Sequence, residues 1–117
     1  MFDNNIPIYI QIVEKLKIQI ISGEYAPGER LLSVRDLATS FKVNPNTLQR
    51  ALQELEDAGL IFTERTNGKF VTSDKALIEK YKNEYANSLA EKYFGAMKSI
   101  GFDTADAIKH FEKIGGK

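Results

Sequence analysis

Val43-Asn44-Pro45-Asn46-Thr47-Leu48-Gln49-Arg50-Ala51-Leu52-Gln53-Glu54-Leu55-Glu56-Asp57-Ala58-Gly59 is the stretch whose reading decides the fold. Asn44 followed by Pro45 is a helix start, because the Asn side chain can cap free backbone N–H groups and proline gives up a hydrogen bond that the first turn does not need. At about 100° per residue, Leu48, Ala51, Leu52 and Leu55 share one face while Asn46, Gln49, Arg50 and Gln53 cluster opposite. The helix should run to Ala58, with Gly59 fitting a left-handed stop. Just upstream, Ser33 with Asp36 three residues on forms a capping-box-like start for a short helix carrying Leu37, Ala38 and Phe41 and ending near Lys42. Downstream, Leu60 to Thr66 is rich in β-formers, and Asn67-Gly68 before Lys69 to Thr72 predicts a hairpin with a two-residue turn. A short helix, a tight turn, a second helix of about four turns and a hairpin is the order of a winged helix-turn-helix.

The flanks fit around this segment. Tyr9, Ile12, Val13, Leu16 and Ile20 give a first helix over Pro7 to Ser22, stopped by Gly23. Pro27 and Gly28 suit the centre of a type II turn from Ala26, leading into a strand stub over Glu29 to Leu32. From Asp74 to about Ile100, Leu77, Tyr81, Tyr85, Leu89, Tyr93 and Met97 recur every fourth residue, predicting a long helix closed by Gly101. Asp103 caps a last helix with Ala107, Ile108, Phe111 and Ile114 on its apolar side, before a Gly-Gly-Lys tail expected to fray. The expected fold class is mainly α with a small β-hairpin. It divides into a winged helix-turn-helix over residues 1–73 and a C-terminal helical region over 74–117.

Composition narrows the function classes. The 117 residues are 43% hydrophobic and 27% charged, as befits one soluble unit with a modest core. The absence of cysteine removes disulfides, thiol nucleophiles and thiolate metal sites. No apolar run approaches the roughly 18 residues of a membrane helix, and no signal segment opens the chain, so a cytoplasmic protein is expected. Lys plus Arg and Asp plus Glu both number 16, so any attraction to a polyanion must be local.

That local case is present. Asn, Gln and Arg can bond two points of an adenine or guanine edge, whereas solvated helix faces usually carry Glu and Lys. Residues 33 to 53 contain Arg35, Lys42 and Arg50 against Asp36 alone, and Glu54, Glu56 and Asp57 lie at the helix's far end. The amino end also presents unpaired N–H groups, with Ser33 and Thr47 as further donors to phosphate. Arg65 and Lys69 flank Asn67-Gly68 and place two cations beside a narrow hairpin tip.

At this point the chain resembles the GntR family of transcriptional regulators from about Pro7 through Val71. The resemblance rests on Tyr9-Ile10-Gln11-Ile12, Ser22 through Leu31, Arg35-Asp36-Leu37-Ala38, Val43 through Ile61, Gly68 and Phe70-Val71. The Val-Asn-Pro-Asn-Thr form and the short two-helix tail are most similar to the YtrA-like branch. The resemblance implies a dimeric, DNA-binding repressor. By position it implies duplex contacts at Ser33, Arg35, Asn44, Asn46, Thr47, Gln49, Arg50, Arg65 and Gly68, with Asn67 and Lys69 beside them in the wing. This chain has Leu32-Ser33-Val34-Arg35 where the family usually has Pro-Ser-Glu-Arg, and Thr66 where a second wing glycine is frequent.

Two tail helices are too few to enclose a pocket of a few hundred Å³ within one chain. The stripe of Leu77, Tyr81, Tyr85, Leu89, Tyr93 and Met97 is larger than one short last helix can cover, so it is expected to associate with a second copy, giving a homodimer on a pseudo-palindromic operator. Packing of the stripe on the winged domain is the competing reading. A small-molecule effector between the copies, touching Tyr81, Tyr85 and Tyr93, is an alternative use of tyrosines that interface anchoring already explains. A winged-helix module that binds protein instead of DNA is the runner-up function, in keeping with zero net charge. No motif pairs a nucleophile with a base, clusters metal ligands or cradles a phosphate, so no cofactor or enzymatic activity is expected. His110, beside Phe111, has no histidine or cysteine partner for a metal.

Overall fold

In a computed structural model, which describes residues 2–115, three helices come first: α1 (Ile8–Ile21), α2 (Val34–Phe41) and α3 (Pro45–Asp57). The hairpin β1 (Ile61–Glu64) and β2 (Gly68–Val71) follows, then α4 (Lys75–Ser99) and α5 (Thr104–Ile114). Of the tail expected to fray, Gly116 and Lys117 lie outside the described residues. The described chain divides into two compact units, one ending at Tyr81 and the other beginning at Lys82. The division falls within α4, eight residues beyond the boundary that composition and spacing suggested.

Local chemistry sets the helix limits. Ser33 Oγ accepts from the Asp36 N–H at 3.1 Å, and Asn44 Oδ1 accepts from the Asn46 N–H at 2.7 Å, so both short-range caps form as expected. Between these helices Lys42 takes the left-handed conformation with φ of 58°, and its N–H bonds back to the Ala38 and Thr39 carbonyls. Gly28 has φ of 82° and the Glu29 N–H reaches the Ala26 carbonyl at 3.0 Å, the turn read from Pro27-Gly28.

The first unit has its core where α1, α2 and α3 meet the hairpin. Ile12, Leu16 and Ile20 of α1 pack with Leu48, Ala51, Leu52 and Leu55 of α3, Leu37 and Ala38 of α2, Leu60 just ahead of β1, and Ile61 and Val71 of the hairpin. Tyr25 packs against this core from the loop after α1, where burial pushes its phenol above the ordinary value, with Glu29 and then Glu24 adding to the effect. The strand stub is real but short. Arg30 bridges Phe70 of β2, while the Leu31 N–H bonds the Lys69 carbonyl and the Val71 N–H bonds that of Glu29, both at 2.8 Å. Ile78 and Tyr81 of α4 pack on the same core, and the Tyr81 hydroxyl donates to the Ala58 carbonyl at 3.2 Å.

The second unit pairs the rest of α4 with α5. Asp103 caps α5 by accepting from the Asp106 N–H at 2.8 Å, and Ala107 is fully buried. The Tyr93 hydroxyl donates to the Ala107 carbonyl at 2.7 Å, and its ring meets Phe94 and Phe111 edge-on.

The hairpin corrects one expectation. Ile61 pairs with Val71, Phe62 with Phe70, Thr63 with Lys69 and Glu64 with Gly68, so Arg65, Thr66 and Asn67 form a three-residue loop. The Asn67 N–H bonds the Glu64 carbonyl at 3.2 Å, and only then does Gly68 enter the left-handed region, with φ of 102°. A two-residue turn at Asn67-Gly68 would need positive φ at both positions, which Asn67 does not have. It would also set Glu64 opposite Val71, putting a carboxylate beside a side chain that is 0% exposed.

Candidate nucleic-acid interface

The two faces of α3 separate as the spacing predicts. Leu48, Ala51, Leu52 and Leu55 are buried, Asn46, Gln49, Arg50 and Gln53 are exposed, and Thr47 is half-buried. The side chains of Asn46 and Gln49, with those of Arg35 on α2 and Arg65 on the wing, make no hydrogen bond or ion pair among the described residues. Planar amides with both ends free at a helix's amino end suit a base edge, which offers a donor and an acceptor side by side. The caps leave chemistry to spare, since Ser33 keeps its O–H and Asn44 its NH₂ after their oxygens have accepted.

The remaining polar positions are engaged. Gln53 Nε2 donates to Asp57 Oδ1 at 2.9 Å, turning it along the helix. The Arg50 guanidinium lies 3.8 Å above the centre of the Tyr9 ring, and its Nη2 donates to the Tyr9 hydroxyl at 3.2 Å.

Lys69 is placed differently from the expectation of a free cation at the tip. Its Nζ reaches Glu56 Oε2 at 3.0 Å and Thr63 Oγ1 at 2.8 Å, while Thr63 donates to Glu56 Oε1 at 2.8 Å. Lys69 and Thr63 are register partners on one side of the hairpin, and that side faces the end of α3. This also accounts for Glu56, whose position at a helix C-terminus opposes the helix dipole. Asn67 is exposed in the loop, as is Arg65.

Two residues near this surface escaped the sequence reading. Arg30 comes to the wing through its bridge with Phe70, and a Cβ on Gly68 would lie 3.3 Å from its Nε. The strand stub hinted at pairing but not at its partner. Spacing puts Tyr9 on the apolar face of α1, and its contact with Arg50 spans 41 residues. Gly68→Ala should therefore destabilise the protein by about 1–3 kcal/mol, through the positive φ and the crowding of Arg30. A lowered urea midpoint checks this; an unchanged one would mean that the wing relaxes freely.

The stripe on α4 is split. Leu77 and Tyr81 belong to the first unit, where Tyr81 packs on the core and Lys17 sits 5.3 Å from its ring centre. Tyr85, Tyr93 and Met97 are half-buried, and Leu89 is 50% exposed. The exposed apolar surface of the second unit instead includes Leu89, Ile100, Ile108, Phe111 and Ile114. An open groove of about 440 Å³ lies among Leu89, Ala90, Tyr93, Phe94, Ile108 and Phe111. It is an open groove along the second unit and not an enclosed pocket. Among the described residues no three His, Cys, Asp or Glu side chains group as a metal site, and no helix is long and apolar enough to cross a membrane.

A buried-faced second helix, a capped amino end and a hairpin packed behind it define a winged helix-turn-helix of the DNA-binding kind. The model of the bacterial regulatory proteins of the gntR family matches residues 8–71, and the chain belongs to this family of transcriptional regulators, which are not enzymes. It is 32% identical to the uncharacterized HTH-type transcriptional regulator YhcF of Bacillus subtilis, with 97% of each chain covered. It is 43% identical to the HTH-type transcriptional repressor YtrA of the same organism, over 58% of this chain and 52% of that one. Among solved structures, a GntR family transcriptional regulator from Listeria monocytogenes superposes with a TM-score of 0.88 at 42% identity, covering 97% of this chain and 99% of that one. The DNA-binding domain of AraR in complex with operator ORR3 superposes with a TM-score of 0.53 at 26% identity, covering 55% of this chain and 77% of that one.

Proposed function

We propose that the protein is a homodimeric, sequence-specific repressor that reads a pseudo-palindromic operator through the polar face of α3. The observation that carries this reading is the pair Asn46 and Gln49, exposed and unbonded on a helix whose opposite face is buried in the core. Thr47, Ser33, Asn44 and Arg35 supply backbone contacts around them, and Arg65 with Asn67 and Gly68 presents the wing. Lys69 is left out, since Glu56 neutralises it. The repressor sense and the placement in the YtrA-like branch are supported by the likeness to YtrA over the winged segment and by a two-helix tail. A role on duplex DNA in a family of bacterial regulatory proteins supports a cytoplasmic location.

The second copy is expected on the exposed apolar surface of the second unit, around Leu89, Ile108 and Phe111. Of the tyrosines expected at an effector between the copies, Tyr81 is taken up by the first unit, whereas Tyr93, bonded to α5, also lines the groove of the second unit. The groove beside Leu89 is the more suitable place for an apolar one.

Selection of bound sites from a randomised duplex pool, near physiological salt, tests the reading. An enriched inverted repeat is expected. Gln49→Ala should relax the preference at one base step per half-site by about 5- to 150-fold, the value of one bidentate pair, while leaving the fold intact. Recovery of the same repeat at the same stringency by the variant would remove Gln49 from base reading. Absence of any enriched site with folded, dimeric protein would favour a protein partner instead.

A further inference from the structure

Arg50 is the only basic residue of α3, and the structure treats it unlike the other polar side chains near that helix. Gln53 is tied to Asp57, and Lys69 is neutralised by Glu56. Arg50 is held without being neutralised. Its guanidinium stacks at 3.8 Å on the Tyr9 ring and gives one hydrogen bond to the hydroxyl, and no carboxylate pairs with it among the described residues. Of its five N–H donors, four stay uncommitted. An arginine on an open helix face samples many rotamers, and an aromatic face beneath it removes most of that freedom while leaving the charge intact. The stack also draws the guanidinium toward α1, away from the extended pose in which an arginine reaches a guanine edge.

We propose that Tyr9 is a positioning residue for DNA binding, holding Arg50 as a clamp on a backbone phosphate at the flank of α3 that faces α1. The proposal rests on the reading of α3 as the duplex-facing helix. It gives Arg50 a register role and leaves base identity to Asn46 and Gln49.

The test is titration of wild type, Arg50→Ala, Tyr9→Leu, Tyr9→Phe and the double variant Tyr9→Leu/Arg50→Ala against the selected operator and a scrambled duplex, over a series of KCl concentrations. Arg50→Ala should weaken both duplexes by the same factor and reduce the slope of log affinity against log salt by about one per head. Tyr9→Leu should lose about 3- to 10-fold on both, and Tyr9→Phe, which keeps the ring, should recover most of that loss. In the Arg50→Ala background, Tyr9→Leu should cost nothing further. Because Tyr9 packs against the core, thermal melts accompany each variant, and Tyr9→Phe is the one expected to melt like wild type.

The proposal is overturned if Tyr9→Leu binds like wild type, or if its loss persists undiminished without Arg50, which would mark a purely structural role. It is also overturned if Arg50→Ala alters preference at a base step with the salt slope unchanged. Wild type that binds no duplex at any salt would overturn the functional reading and this proposal together, whereas binding that ignores Tyr9 overturns this proposal alone.

Discussion

Leu89→Asp combined with Phe111→Asp should convert the proposed dimer to a folded monomer and lower affinity for a two-half-site operator by about 10²–10⁴-fold, the gain that linkage of two binding heads supplies. Leu89 is 50% and Phe111 55% exposed, so neither contributes much to the core of its own chain. Both line the open groove of the second unit, where a facing copy would bury them. Two carboxylates per chain would then have to be desolvated against apolar partners and against each other across the twofold axis. Each head would keep its own contacts, so binding to an isolated half-site should change little. Sedimentation equilibrium reads the first effect and anisotropy on whole and half operators the second. A variant that stays dimeric would move the interface elsewhere on the chain.

Leu52→Ala should cost about 2–5 kcal/mol, the range for removing a buried leucine and leaving a cavity. Leu52 is 0% exposed on α3, in a core shared with Ile12, Leu16 and Ile20 of α1. Against a total stability of about 5–15 kcal/mol the loss is severe, and the melting temperature should drop by more than about 10 °C. DNA affinity would fall with the folded fraction, not through any contact of Leu52 itself. A circular dichroism melt within a degree or two of wild type would mean that the core collapses around the missing side chain.

The features legible in the sequence are those decided within one turn of chain. The caps at Ser33, Asn44 and Asp103 depend on side chains two or three residues from the N–H they bind, and all three form. The division of α3 into a buried and an exposed face follows from helical period alone. The hairpin register was not legible, because Asn67-Gly68 states a local preference, whereas the pairing of Ile61 with Val71 is imposed by burial of both. Lys69 read as a cation near a tip because Glu56 lies 13 residues away in sequence, and Tyr9 read as a packing residue because Arg50 lies 41 away. The α4 stripe shows the same limit. Periodicity names the residues that share a face but not what each part of that face meets, and Tyr81 meets the core of the first unit.

The bridge from Lys69 through Glu56 and Thr63 gives the first unit a mechanical property. It braces the hairpin against α3 beyond the turn that joins them, where the Leu60 N–H bonds the Leu55 carbonyl. Swinging the wing would break a half-buried ion pair. The span from the amino end of α3 to Arg65 thereby becomes a gauge of fixed length carried by the protein. If a duplex is gripped at both ends of that gauge, as proposed, it must do the bending or groove adjustment itself. Pliant and stiff base steps lying between the two grips, touched by neither, would then bind with different strength.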